Sequence, residues 1–233
     1  MEAESFVYGK LLVRENRFIA RVEVAGKEER VHVPNTGRLP QIIQKGVEVQ
    51  LRKSNNPKRK TKYSLIAVKK EGQWINIDSQ LPNKLAYESI KEGRIDGFTN
   101  LDIVKREVNY GNSRFDLYYE RGKQKGFIEV KGVTFVEEGV GMFPDAPTER
   151  GTKHVYEMIQ AVEAGYEGNI LFIIMREDGD SFSPYWEMDP AFSEALVEAE
   201  KKGVRILAYK THYVQTVPQV ADAVDVRLER SLL

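Results

Sequence analysis

Cysteine is absent from this 233-residue chain. Disulfides are thereby excluded, and so are thiolate metal centres and zinc held by sulfur. No apolar run approaches the ~20 residues that a membrane-spanning helix needs. The N-terminal stretch "MEAESFVYGK" is acidic and has no long apolar segment, unlike a secretory leader. A cytoplasmic protein with no membrane partner is expected. There is no internal repeat, no low-complexity segment, and no helix-turn-helix or zinc-finger pattern.

What is present is a composition of 41% hydrophobic and 30% charged residues, enough to bury a core. The length suits one large domain or two modest ones. The net charge is zero but unevenly spread. Residues 1–82 carry 16 Lys and Arg against 9 Asp and Glu, a net +7; residues 83–233 carry the opposite −7. A basic half beside an acidic half points to a polyanion partner for one and a divalent cation for the other. Scattered charges of this kind are also simply solvated surface.

Residues 1–82 read as all-β. Short strand-like runs recur, from "FVYGKLLVRE" to "QWINIDS", separated by Gly26, Gly46, Gly72 and the Asn55-Asn56-Pro57 loop. That spacing predicts a small OB-type barrel with a nucleic-acid-binding face. Arg52, Lys53, Lys58, Arg59, Lys60 and Lys62 fall within eleven positions, followed by Tyr63. A basic loop beside an aromatic ring suits backbone contacts and base stacking on a single strand. In "HVPNTGR", Pro34 and Gly37 predict a turn exposing His32, Asn35, Thr36 and Arg38. Of these, Arg38 is the phosphate-contact candidate, because its fork matches phosphate oxygens. Trp74 could stack a base or fill the barrel.

Residues 83–233 read as α/β. "PNKLAYESIKEG" is a helix with Leu85, Ala86 and Ile90 apolar and Gly93 past its end. "DIVKREVNYG" is a strand ending in a Gly111-Asn112 turn, and a hairpin follows. Residues 134–147, with Gly139, Gly141, Pro144 and Pro147, are expected as a long loop. Thr148 caps a second helix, and Asp189-Pro190 opens a third. "NILFIIM" and "VRILAY" are buried strands. The expected order is helix, three strands, helix, strand, helix, strand, on a mixed sheet.

The hairpin carries the chemistry. In "FIEVKG", Glu129 and Lys131 share one face of an otherwise apolar strand, which costs desolvation unless something compensates. On the partner strand, Asp116 falls opposite either Val130 or Glu129, depending on the centre of the turn. Asp116 also alternates out of the apolar set Phe115, Leu117 and Tyr119. Two carboxylates and the main-chain carbonyl of Val130 make an oxygen cage suited to Mg2+ or Mn2+, with an ammonium nearby to orient water or offset phosphate charge. The plain alternative is a cross-strand salt bridge between Lys131 and Asp116.

Six blocks, "HVPNTGRL", "RKTKYSL", "INIDSQLPN", "YGNSRFD", "IEVKGVT" and "MFPDAPTERGTKH", run in order along nearly the whole chain. Together they resemble the sugar fermentation stimulation protein A family. The resemblance implies an OB-fold in residues 1–82, a PD-(D/E)xK nuclease-like domain of restriction-endonuclease type in residues 83–233, and DNA binding. Asp116 would be the hairpin acid, and Glu129 and Lys131 the acid-x-lysine pair; Phe115 stands where the motif name has proline. A further acid on the first helix is expected at Glu88, with Glu92 as substitute. Arg150, Lys153 and His154 open the second helix, where phosphate is attracted, and are expected to contact it. Asp145 lies on the preceding loop, with nothing in its spacing to tie it to the metal. Two function readings stay open: a Mg2+- or Mn2+-dependent endonuclease, and a non-catalytic DNA-binding regulator of sugar-metabolism genes on a nuclease scaffold. A site that processes RNA or a nucleotide is a remoter third. DNA strand form is left open, and analogy with paired nucleases suggests a homodimer.

Overall fold

The computed structural model describes residues 6–35, 37–111, 113–214 and 217–230. Thr36 and Asn112 lie outside the described residues. The chain divides into two compact units, Met1–Gln80 and Leu81–Leu233. No helix among the described residues is long and apolar enough to cross a membrane.

The first unit is built from β1 (Phe6–Arg14), β2 (Ile19–Val24), β3 (Lys27–His32), β4 (Glu48–Lys53), β5 (Tyr63–Lys70) and β6 (Gln73–Asn76). Their order is β3-β2-β1-β4-β5-β6, and a parallel pairing at His32↔Ser64 joins β3 to β5. This closes the first five strands into the expected OB-type barrel, with β6 added outside it against β5. Alternation is clean on β2, where Ala20, Val22 and Val24 are buried and Arg21 and Glu23 exposed. The inward residues, with Leu11, Val31, Val49, Leu51, Leu65 and Ile75, form the barrel core.

The second unit has three helices, α1 (Leu81–Lys91), α2 (Glu149–Glu163) and α3 (Pro190–Lys201). Its main sheet comprises β7 (Ile103–Tyr110), β8 (Ser113–Arg121), β9 (Gln124–Val133), β12 (Glu167–Ile174), β14 (Arg205–Val214) and β15 (Val217–Ala223). The strand order is β15-β14-β12-β9-β8-β7. β9, β12 and β14 run parallel at the centre, with antiparallel strands on both sides. The result is a mixed sheet of restriction-endonuclease type with helices on both faces. Phe127, Phe172 and Ile174 pack with Val155, Ile159 and Leu196 of α2 and α3. Ile128, Val130, Leu171 and Ile173 pack with Leu85 and Ile90 of α1. With both faces covered, β12 is an unbroken apolar run from Ile170 to Ile174.

Residues 134–147 depart from the expected loop. They contain β10 (Phe135–Glu137) and β11 (Val140–Phe143), which join β13 (Ser181–Pro184) and β16 (Asp225–Val226) in a second sheet of order β10-β11-β13-β16. β10 and β11 form a tight local hairpin, and β11 then pairs with the distant β13; the Gly- and Pro-rich pattern hid both.

The starts of α2 and α3 are closed by side chains. The Thr148 hydroxyl accepts the Gly151 N–H at 3.1 Å. Asp189 accepts the Phe192 N–H of α3 at 3.0 Å with one oxygen and the Thr148 N–H at 2.8 Å with the other. One buried carboxylate therefore ties the beginnings of α2 and α3 together.

Candidate functional site

The β8–β9 hairpin turns tightly at Gly122, whose φ of 57° is natural for glycine at the first position of a two-residue turn. The ladder then runs from Arg121↔Gln124 to Leu117↔Ile128 and stops. This register puts Asp116 level with Glu129, one step past the last pair. On the other side, β7 pairs with β8 at Arg106↔Leu117 and at Val108↔Phe115 but skips the step between. There Glu107 takes a φ of 55°. Among the described residues, Asp116 is thus in neither ladder.

The cause lies in the packing. Phe115 enters the core under α2, whereas Leu117 and Tyr119 enter the core under α1. In a regular strand these three residues would share a face. The strand turns over at Asp116 and β8 parts from β9, so the expected simple alternation through Phe115, Leu117 and Tyr119 does not hold. The Asp116 carboxylate fills the gap. One oxygen accepts the Val130 N–H at 2.8 Å, in place of a ladder bond, and the other accepts the Asn83 amide of α1 at 2.6 Å. The N–H and C=O of one strand residue face the same neighbour, so the Val130 carbonyl also faces this gap.

Glu129 points to the α2 face and is 3% exposed. Its Oε1 lies 2.7 Å from Lys131 Nζ and 2.5 Å from His154 Nδ1. Its Oε2 is buried with no hydrogen-bond partner among the described residues. Lys131 therefore bonds the acid of its own strand, rather than bridging to Asp116. Burial, and then the Glu129 charge, push the Asp116 carboxyl up to about 6, against the Val130 N–H, Lys131 and Asn83. Burial also raises Glu129, but Lys131 and His154 outweigh it and hold that carboxyl below its ordinary value.

This donor set fits a hard divalent cation. Glu129 keeps one carboxylate oxygen without a donor among the described residues, and Asp116, within its electrostatic reach, resists ionising; added positive charge would relieve both. No cluster of three or more His, Asp or Glu suited to a metal occurs among the described residues. Main-chain oxygen and water would have to complete the shell.

The remaining candidates are placed as follows. Glu88 is exposed, its carboxylate 3.9 Å from the Lys84 ammonium; Glu92 pairs with Arg94 at 2.6 Å. The α1 residue that meets Asp116 is Asn83. It was missed because a polar residue in a first helical turn looks like any other, though it closes the block "INIDSQLPN". His154, expected to contact phosphate, is instead 7% exposed and bonded to Glu129. Arg150 and Lys153 are exposed on the first turn of α2, with Lys153 3.6 Å from Glu157. Burial raises the Asp145 carboxyl.

In the barrel, Lys58, Arg59, Lys60 and Lys62 are exposed on the β4–β5 loop. The Arg59 guanidinium donates to Ser64 Oγ at 3.1 Å, and Arg52 pairs with Asp78 at 3.3 Å. Tyr63, the expected stacking ring, is 6% exposed and belongs to the core. The exposed ring at this end of the barrel is Phe18, at 52%, whose carbonyl accepts the Val33 N–H just past the end of β3. Arg38 is exposed on a loop whose carbonyls, at Asn35 and Arg38, are held by the Arg14 guanidinium at 3.0 and 2.5 Å. Trp74 is partly exposed, its ring 5.5 Å from that of Tyr8.

Comparison with known proteins follows the same division. Residues 80–216 match the sugar fermentation stimulation protein RE domain, and residues 12–77 the N-terminal OB domain of that family. A sugar fermentation stimulation protein homolog of Alkaliphilus oremlandii is 51% identical over 97% of this chain and 98% of its own. One from Desulfitobacterium hafniense is 49% identical over 94% and 95%. The solved structure of Pyrococcus furiosus SfsA in complex with Ca2+ superposes with a TM-score of 0.89 at 30% identity, covering 97% of this chain and 98% of that one.

Proposed function

The chain belongs to the sugar fermentation stimulation protein family, and from that premise we propose that it binds DNA and hydrolyses phosphodiester bonds with a divalent cation, Mg2+ or Mn2+. The observation that carries this reading is the incomplete satisfaction of the paired acids. Glu129 keeps a buried oxygen without a donor, and Asp116 beside it is pushed up to about 6. The Ca2+ complex of the Pyrococcus furiosus relative supports a divalent cation.

Asp116, Oε2 of Glu129 and the Val130 carbonyl would hold the ion. Once bound, it supplies polarisation of the phosphate and a bound water of lowered pKa. Asn83 orients Asp116 through its 2.6 Å bond. Lys131, partly exposed, offsets charge gathering on the phosphate and orients the attacking water. Arg38, Arg52 and the 58–62 loop grip the backbone from the barrel, and Arg150 and Lys153 do so from α2. Such contacts release counterions and make binding fall steeply with salt. Acting on DNA, the protein works in the cytoplasm, and cutting both strands with one site per chain takes two copies.

The test is incubation of the purified chain with single- and double-stranded DNA and RNA in Mg2+ or Mn2+. Expected is a product that vanishes in Lys131→Ala while binding persists. A wild-type chain that cuts none of them in either metal would refute the reading. The small acid count favours a second reading, since Glu88 is exposed with Lys84 as its ion-pair partner and no three-acid cluster occurs among the described residues. In it the protein is a DNA-binding regulator without turnover, marked by salt-dependent binding and no product.

A further inference from the structure

His154 plays no part in the mechanism above, yet it is buried on the sheet-facing side of α2 with Gly151, Val155 and Met158. Its burial removes it from any phosphate surface. Its bond to Glu129 brings two donors to one carboxylate oxygen, Oε1, and leaves the other with none.

We propose that His154 is a positioning residue for Glu129: it holds Oε1 so that Oε2 is the oxygen offered to a divalent cation, and so that Lys131 can leave Glu129 for a substrate phosphate. This rests on the reading of the site given above. Were Lys131 the sole donor, moving its ammonium would leave both oxygens of a buried carboxylate without a partner. With His154 in place, Oε1 stays satisfied wherever Lys131 goes. An N–H on Nδ1 is all that Oε1 requires, since an ionised carboxylate only accepts. The ring is steadied by its helix, because Thr148 and Asp189 close the start of α2 one turn earlier. Groups that hold metal-ligating carboxylates in this way commonly affect metal affinity ~10–100-fold.

The test is calorimetric titration of the full-length chain with Ca2+, comparing wild type with His154→Leu, His154→Asn and Glu129→Gln. His154→Leu removes the donor; His154→Asn keeps an amide N–H close to the place of Nδ1. Expected is at least ~10-fold weaker Ca2+ binding in His154→Leu, restoration to near wild type in His154→Asn, and loss in Glu129→Gln. Unchanged affinity in His154→Leu, or equal weakening in Leu and Asn variants, overturns the proposal while leaving the site intact. Unchanged affinity in Glu129→Gln removes the site itself. If His154→Leu does not fold, nitrogen-15 NMR of histidine in the unaltered, metal-free chain decides. A far-downfield Nδ1 proton that disappears in Glu129→Gln supports the assignment, and an imidazole protonated only on Nε2 refutes it.

Discussion

Two polar clusters, one half-buried and one buried, occupy opposite ends of the same β8–β9 hairpin, and they are built on opposite terms. At the closed end, Tyr119 donates to Glu167 at 2.6 Å and accepts from Asn169 at 3.1 Å, while Arg121 pairs with Glu167 at 3.2 Å. One acid meets one base inside an unbroken ladder. At the open end, where the ladder has parted, Lys131 and His154 both meet one oxygen of Glu129, its other oxygen is left over, and Asp116 has, among the described residues, only the neutral donors Asn83 and the Val130 N–H. The first cluster is balanced and locks the strands. The second lacks positive charge and holds them apart, as a site that receives a cation would.

Disabling the open end should give the largest effect. Lys131→Ala is expected to lower cleavage at least ~100-fold, the scale for losing one group that stabilises developing charge, with DNA binding and folding retained; a quantified cleavage assay and a binding isotherm check both. Next is Gly132→Ala. A Cβ there would lie 2.6 Å from Pro82 Cγ, the residue before Asn83. Moving α1 should cost about 1–3 kcal/mol in urea unfolding and weaken Ca2+ binding through Asn83.

Asp116→Asn should change stability in the other direction. A carboxyl raised from 3.8 to about 6 in the folded state penalises folding above that pH and not below the unfolded value. In the metal-free chain the variant should therefore gain on the order of 2–3 kcal/mol at pH 7 and nothing at pH 3. Thermal unfolding in chelator at the two pH values reads the difference. The smallest effect is expected from Tyr119→Phe, which strips a donor from the balanced cluster. It should cost about 1 kcal/mol and leave Ca2+ affinity unchanged, which separates the two ends.

The sequence made some of this legible. All six strands of the first unit follow from apolar patterning and turn residues, and Thr148 and Asp189 mark the starts of α2 and α3 because capping is local. The hairpin turn brought Asp116 to within one residue of Glu129, and the register selects Glu129. The reversal of β8 at Asp116 was not legible, because Phe115, Leu117 and Tyr119 alternate as in a regular strand. Only packing against two different cores separates them. His154 and Asn83 were misjudged or missed for the same reason: their partners lie 25 and 33 residues away, and no local pattern encodes such contacts. Tyr63 looked like a binding ring, but strand parity turned it into the barrel core.

Asp189 has a consequence for motion. A single carboxylate closes both α2 and α3, so neither helix can fray at its start without releasing the other's latch. Amide exchange at Thr148 and at Phe192 should then proceed at a common rate, as one cooperative opening unit. Replacing Asp189 with alanine should split that shared event into two faster, independent ones.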